Sequence, residues 1–525
     1  MKKLAIYKNF FLNLIFPAFI FGGITGILTA IIVTLYKLLA KLLINTSEVG
    51  YDFIRGHLYL VPVALLALLG ISFMLSYVYK RLPSVRGGGI PTSIGILRGI
   101  ITFKWLRTLL GVFIVSLGSF LIGVPLGNEG PSVQIGTAVG KGSVQPFSKK
   151  HRAWERYSMT GGACAGFCVA TGAPVSGIVF AIEEAHQRIS PMIVIVSSVS
   201  VMFSRITTEL LSPMLGVSIN LFPRLNLPSL QIKDIWLPLV IGVLLGLFAV
   251  AFLNYYRLIY SFFNKLLKKL PHAYKIFIVF ALTLIFGLVS FKYISTGHGL
   301  IEELLSTNNI AIIALILILL IRSTLTLFAN TNSVTGGLFL PIMALGTVIS
   351  SVIAKATILL GLSESYYTVI LVLGITACIS GMMKMPITAI VFAIEALSAY
   401  DNILYVIAVS ATAYVITEIF RAESINDTVI ERRSHELNGI RESKIVDTFV
   451  TVKKNTFAVG KQIRDIFWPR GLLVLAVKKD EKRENEVDQY GGKALIDGDV
   501  LHIRYTTYDE NQTVSELYAI VGEQE

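Results

Sequence analysis

Glu129 stands between glycines in Gly127-Asn128-Glu129-Gly130-Pro131, within otherwise apolar sequence. A carboxylate set in apolar surroundings is costly and usually functional. Its glycine neighbours allow backbone N–H groups to approach a ligand closely. Pro131 predicts a helix start, since proline suits the first helical position. Helix starts attract anions through free N–H groups and the dipole. An ionised Glu129 would compete there with a bound anion, and a protonated one would leave. That couples proton binding to anion binding. The plainer alternative is an acidic residue that steadies a helix N-terminus.

A second loop of the same kind is Gly336-Gly337-Leu338-Phe339-Leu340-Pro341, where Phe339 takes the place of Glu129. A third is Gly87-Gly88-Gly89-Ile90-Pro91, with a near-repeat at Gly297-His298-Gly299-Leu300. His298 reads as a loop histidine. Glu183-Glu184 closes the apolar run Ile178-Val-Phe-Ala-Ile. Glu183 has a repeat partner in Glu395 and reads as structural. Glu184 aligns with Ala396 and breaks the symmetry, which makes it a candidate proton relay; otherwise it is a solvated helix end.

These residues sit in a chain of 525 residues with 54% hydrophobic and 15% charged residues. Soluble domains carry about 25% charged residues, so lipid is the expected solvent. The net charge of +13 comes partly from clusters beside apolar runs: Lys2-Lys3, Lys149-Lys150-His151-Arg152, Lys265 to Lys269 and Arg432-Arg433. That placement predicts cytoplasmic loops and argues against nucleic-acid binding. The N-terminal run stays apolar to Ile44 with no A-x-A site, and predicts a retained first span.

Runs long enough to cross a bilayer are predicted at 11–44, 58–80, 106–126, 190–211, 236–260, 275–293, 309–330, 366–381 and 402–420. Pieces at 131–145, 159–185, 337–355 and 385–398, broken by Gly and Pro, predict discontinuous helices, where transporters build their sites. Ile178–Glu183 recurs unchanged as Ile390–Glu395, an offset of 212 (390 − 178). Pro174 matches Pro386 and Gly162 matches Gly374 in the same register, while Pro131 with Gly136-Thr137 matches Pro341 with Gly346-Thr347. Two halves, about 10–220 and 235–430, are predicted, with inverted topology as the expected arrangement. The fold class is therefore an all-α polytopic membrane protein, with two inverted repeats of discontinuous and tilted helices. From 434 to 525 charges are dense and strand-length runs appear at 445–452, 472–477 and 500–505, with turn signals at Gly491-Gly492 and Asp497-Gly498-Asp499. This predicts a small α+β domain, placed in the cytoplasm by the preceding Arg432-Arg433.

Cys164, Cys168 and Cys378 lie in apolar segments without metal-type spacing, so no disulfide, metal or cofactor is predicted. A hydrolase is disfavoured, because no Ser-His-Asp set and no P-loop occurs.

GGGIP (87–91), GNEGP (127–131) and GLFLP (337–341), in that order, resemble the three signature loops of the CLC family of chloride channels and proton-coupled anion exchangers: GSGIP, G(K/R)EGP and GxFxP. The resemblance covers residues 10–430. It implies a homodimer in the cell membrane with one anion pathway per subunit. It matches Glu129 to the gating glutamate and the amides of Leu338 and Phe339 to donors for a central anion. It matches Glu184 to the glutamate that takes protons from the cytoplasm in exchangers. Three departures stand out: Gly88 replaces a serine, Asn128 replaces a basic residue, and Asn426 falls where a tyrosine caps the anion. GNEGP and Val334-Thr335 also resemble the fluoride-exporting branch. Chloride against protons is the leading expectation; fluoride against protons, a passive channel, and a ligand-sensing membrane protein are the alternatives. Asp465–Gly471 and Leu495–Leu501 resemble the TrkA-C (RCK C-terminal) module, which implies dimerisation and a small regulatory ligand.

Overall fold

The computed structural model describes residues 15–87, 89–146, 153–438, 444–469, 471–478, 494–507 and 510–524. Lys2-Lys3, Lys149 to Arg152, Gly88 and the Gly491-Gly492 turn lie outside them. The first half contains α1 (Phe16–Gly56), α2 (Val61–Arg81), α3 (Ile90–Leu97), α4 (Trp105–Ile122), α5 (Glu129–Val144), α6 (Glu155–Thr171), α7 (Pro174–Phe180) and α8 (Pro191–Leu215). The second contains α9 (Trp236–Leu266), α10 (His272–Val289), α11 (His298–Ser306), α12 (Ile312–Thr331), α13 (Phe339–Leu359), α14 (Tyr367–Met383), α15 (Pro386–Ala396) and α16 (Ile403–Ile419). Then α17 (Ile425–Asn438) leads to β1 (Lys444–Thr451), β2 (Leu472–Lys478), β3 (Val500–Thr507) and α18 (Glu510–Val521).

Among the described residues ten helices are long and apolar enough to span a membrane. Nine coincide with the predicted runs. The tenth is α13, and here the prediction of a broken piece at 337–355 is corrected: the helix is continuous for 21 residues. Gly346 lies inside it as a packing residue, with a would-be Cβ 3.0 Å from the Cys378 side chain. The pieces at 159–185 are broken as expected. Gly172, in the left-handed region at φ +75°, ends α6, and Pro174 opens α7.

The repeat is visible as paired contacts. A Cβ on Gly136 would strike the Gly162 carbonyl, and one on Gly162 would strike the Gly136 carbonyl. The matching pair behaves alike: Cβ atoms on Gly346 and Gly374 would stand 3.1 and 3.2 Å from each other's carbonyls. The two glutamates of the repeated hexapeptide cross between halves. The Glu183 carboxylate accepts from Ile387 N (2.8 Å), Thr388 N (2.7 Å) and Thr388 Oγ1 (2.6 Å) at the start of α15. The Glu395 carboxylate accepts from Val175 N (2.9 Å), Ser176 N (2.8 Å) and Ser176 Oγ (2.7 Å) at the start of α7. Each acidic group thus satisfies free N–H donors at the positive end of the other half's helix.

Three glycine loops meet at the centre. Gly127 N donates to Gly337 O and Gly337 N donates to Gly127 O, both at 2.8 Å, forming a two-residue antiparallel bridge between the halves. A Cβ on Gly130 would stand 2.6 Å from the Gly337 Cα and 2.9 Å from the Gly89 Cα. Gly89 itself has φ +99°, outside the range of most side-chain-bearing residues.

The C-terminal domain is a three-stranded antiparallel sheet in the order β1-β3-β2 with α18 alongside. Val450, Leu501, Ile503, Leu517 and Ile520 are buried in its core. The placement of Arg432-Arg433 is corrected: both side chains are buried in α17. Arg432 donates to Tyr256 Oη (2.7 Å) and Asn330 O (3.0 Å), and Arg433 to Pro83 O (2.7 Å). They hold the helix to the membrane part, so they are no guide to which side of the membrane the domain occupies. The helix also runs past residue 433, where the domain boundary was drawn, to Asn438.

Gly130→Ala should destabilise the protein by about 1–3 kcal/mol, because the obstacle is backbone that cannot swing away. Gly118→Ala, where nothing stands within 4 Å, is the control and should leave the melting temperature in detergent unchanged. Equal melting temperatures for both variants would contradict the packing described here.

Candidate functional site

The bridge between Gly127 and Gly337 places two helix starts side by side. Asn128 caps α5 with φ −90° and ψ −13°; Leu338 caps α13 with φ −95° and ψ −11°. The repeat therefore extends to backbone angles. The predicted start at Pro131 is corrected to Glu129, so the carboxylate belongs to the first residue of α5. Phe339 is likewise the first residue of α13. Pro131 and Pro341 follow in the first turns, where their missing N–H costs no helical hydrogen bond.

Glu129 is fully buried, at 0% exposure. Neither of its carboxylate oxygens has a hydrogen-bond partner among the described residues. Its Oε2 lies over Gly127, where a Cβ would collide with it; the same Cβ would stand 2.9 Å from the Leu340 side chain. The carboxylate is thus folded back against the loop and the start of α13. An acidic group buried without a hydrogen-bond partner is costly. The arrangement suits a group that changes protonation and position.

Phe339 forms one wall. Its ring meets Phe167 at 5.3 Å and Phe392 at 5.2 Å, both edge-on, and Phe167 stacks on Phe180 at 5.7 Å. Sequence reasoning did not single out Phe167, Phe180 or Phe392. Phe180 and Phe392 occupy the same place in the repeated hexapeptide, which was the available signal. Gln134 was also missed. Buried in α5, it accepts from Gly89 N (2.8 Å) and donates to Ser84 O (2.9 Å), tying the 87–91 loop to the helix that Glu129 opens. An amide five residues after Glu129 in an apolar helix was its signal.

The remaining candidate residues divide into two groups. Gly87 N donates to Ser333 O at 2.8 Å, and Ile90 and Pro91 open α3, both buried. Val334 is buried, and the Thr335 hydroxyl donates to Val85 O (2.8 Å) while it also meets Tyr79 Oη at 2.8 Å. Thr335 is thus engaged in holding the loop. Asn426 and Glu184 form a separate polar node. Asn426 Nδ2 donates to Glu184 Oε1 at 3.0 Å, and Glu184 is 2% exposed. Glu184 belongs to a π-helical turn (Ala181–Ala185) that continues α7. Arg98, following α3, donates to Glu184 O (2.7 Å) and to Asp427 Oδ1 (2.8 Å), closing the node.

The C-terminal domain touches this same region. Tyr157 Oη donates to Asp465 O (2.7 Å) and accepts from Phe467 N (3.1 Å); Arg156 donates to Trp468 O (2.5 Å). The Phe467 ring lies 4.3 Å from Tyr157 and 4.5 Å from His186, two residues beyond Glu184. Burial, together with Arg156, Arg188 and Arg98, holds the His186 imidazole well below its usual range, so it stays neutral under that ring. No group of three or more metal-ligating side chains occurs among the described residues.

Residues 71–418 match the voltage gated chloride channel family. The chain is 29% identical over 434 residues to an H(+)/Cl(-) exchange transporter ClcA of Vibrio parahaemolyticus, covering 79% of this chain and 90% of the relative. It is 25% identical over 388 residues to a protein of the same name from Klebsiella pneumoniae, covering 72% and 81%. Among solved structures, a slow cyanobacterial Cl-/H+ antiporter superposes with a TM-score of 0.72 at 22% identity, over 80% of this chain and 99% of that one. A CLC-type fluoride/proton antiporter superposes with a TM-score of 0.60 at 19% identity, over 77% and 96%. The paired glycine loops, the repeat and the matched residues lead to one conclusion: this chain belongs to the voltage-gated chloride channel (CLC) family.

Proposed function

We propose that the protein is a proton-coupled antiporter that exchanges chloride for protons across the cell membrane. The observation that carries this reading is the buried, unpartnered Glu129 carboxylate at the shared mouth of two helix starts. Ionised, it takes the place an anion would hold against the N–H groups of α5 and α13. Protonated, it no longer competes and can swing away. A passive channel would need only that gate. Exchange also needs a second site for the proton, and Glu184, buried and held by Asn426, supplies it. The relatives named as H(+)/Cl(-) exchange transporters favour chloride as the anion. By the family resemblance the protein works as a homodimer, and Glu184 faces the cytoplasm.

On the same reading residues 434–525 form a cytoplasmic regulatory domain, whose ligand would be a small molecule. The support is its docking through Asp465–Trp468 beside the turn that carries Glu184. A change in the domain reaches the proton side of the cycle through Phe467 and His186. The resemblance to a TrkA-C module adds dimerisation through this domain.

Efflux from proteoliposomes loaded with chloride, fluoride or nitrate, each with a pH trace, tests the anion. Glu129→Gln mimics the protonated side chain and should move chloride with no accompanying proton movement; proton coupling that survives would contradict the role given to Glu129. Phe467→Ala removes aromatic contacts of about 0.5–1.5 kcal/mol, so turnover should change by about two- to tenfold. Turnover equal to the unaltered protein's would contradict regulation through this contact.

A further inference from the structure

At the far end of α6 from the docked domain lies a cavity of about 710 Å³. It is bounded by Lys37 of α1, Leu221 in the loop after α8, and His298 of α11, and it reaches Asn128 and Leu340 at the starts of α5 and α13. It is therefore a vestibule that leads to Glu129 from the side opposite Glu184.

Lys37 is the unusual group there. It sits in the middle of a membrane-length helix, where a charge is expensive. Its Nζ donates to Val169 O at 2.9 Å and to Ser218 O at 3.1 Å, both neutral acceptors. Of the other basic groups around the cavity, Lys292 pairs with Glu303 at 2.7 Å and His298 with Glu302 at 3.4 Å, Arg322 is fully buried and spent on the carbonyls of Lys292, Ile294 and Ser295, and Lys41 lies one helical turn beyond Lys37. Lys37 makes no ion pair among the described residues. Lys37 lines the same cavity as Asn128, the residue directly before the unpartnered Glu129. Meanwhile position 128, directly before that glutamate, carries Asn where the family resemblance expects a basic residue.

We propose that Lys37 is the steering cation of the outer vestibule, which draws a small monovalent anion into the cavity and delivers it to the site that Glu129 gates. This rests on the anion-transport reading above. The two carbonyl bonds hold the ammonium on the cavity wall without neutralising it. The positive charge that related loops place beside the gate is supplied here from a different helix, leaving Asn128 neutral. A cleft lined with one sign of charge and low-dielectric walls focuses its field and raises the capture rate of the opposite charge. The competing role is structural: a lysine that merely caps the last carbonyls of α6 and the neighbouring loop.

Charge and capping are separated by chloride flux into proteoliposomes as a function of external chloride. Lys37→Gln should raise the apparent KM for chloride by about tenfold, the low end of electrostatic steering, with kcat within about twofold. Lys37→Arg should keep the KM of the unaltered protein. Asn128→Arg placed in the Lys37→Gln background should bring the KM back down, because it returns a cation to the same cavity. An unchanged KM in Lys37→Gln would overturn the proposal. So would a double variant with KM as high as the single one, or a loss confined to kcat and melting temperature, which is the signature of capping. The proton trace of the unaltered protein, recorded in the same vesicles, reports on exchange independently of these ratios.

Discussion

Backbone touches backbone where the loops at Gly89, Gly130 and Gly337 meet, and no side chain fits between them. Much else follows from that contact. It brings the starts of α5 and α13 from opposite halves to one place, so that free N–H groups of two helices face a common point. It also sets the Glu129 carboxylate against Gly127 and the start of α13. The hydrogen bonds between Gly127 and Gly337 contribute about 0.5–1.5 kcal/mol each. Their larger effect is geometric, since they fix the register of one half against the other.

The repeated hexapeptide locks the same relationship from further out. Glu183 satisfies the start of α15 and Glu395 satisfies the start of α7, so each half closes the other's helix with a charge. The two halves part at the next residue, Glu184 against Ala396. Glu184, which has no counterpart in the second half, is free of capping duty and is held by Asn426 and Arg98 instead. The pathway thus has a symmetric frame and asymmetric working groups. Glu129 faces Phe339 across the bridge, and Glu184 is matched by alanine.

Much of this was legible in the residues. Glycine–proline loops and an unchanged hexapeptide survive as spacing, and spacing is what a linear reading sees. The two-half architecture, the Glu129 loop and the structural character of Glu183 are therefore readable in the chain. The errors share a cause. Gly and Pro suggest breaks in 337–355, yet in a membrane helix a small residue is as often a place for a neighbour to approach. Arg432 and Arg433 look like loop charges, because composition does not show that Tyr256, Asn330 and Pro83 wait for their guanidinium groups. The Asn426–Glu184 bond joins residues 242 apart in the chain, and the contact of Phe467 with Tyr157 joins residues 310 apart. Neither leaves a local trace.

On the proposed mechanism the two buried carboxylates are parts of one cycle, with Glu129 shared by anion and proton and Glu184 by proton alone. Its most direct test is proton movement driven by chloride alone. Liposomes holding the purified protein are loaded with high chloride, placed in low chloride at equal pH, and clamped at zero voltage with potassium and an ionophore. For an exchanger, chloride leaves while protons enter, so the external medium turns alkaline with no pH gradient to drive it. Chloride efflux with a flat external pH would contradict it and leave Glu129 as the gate of a passive pore.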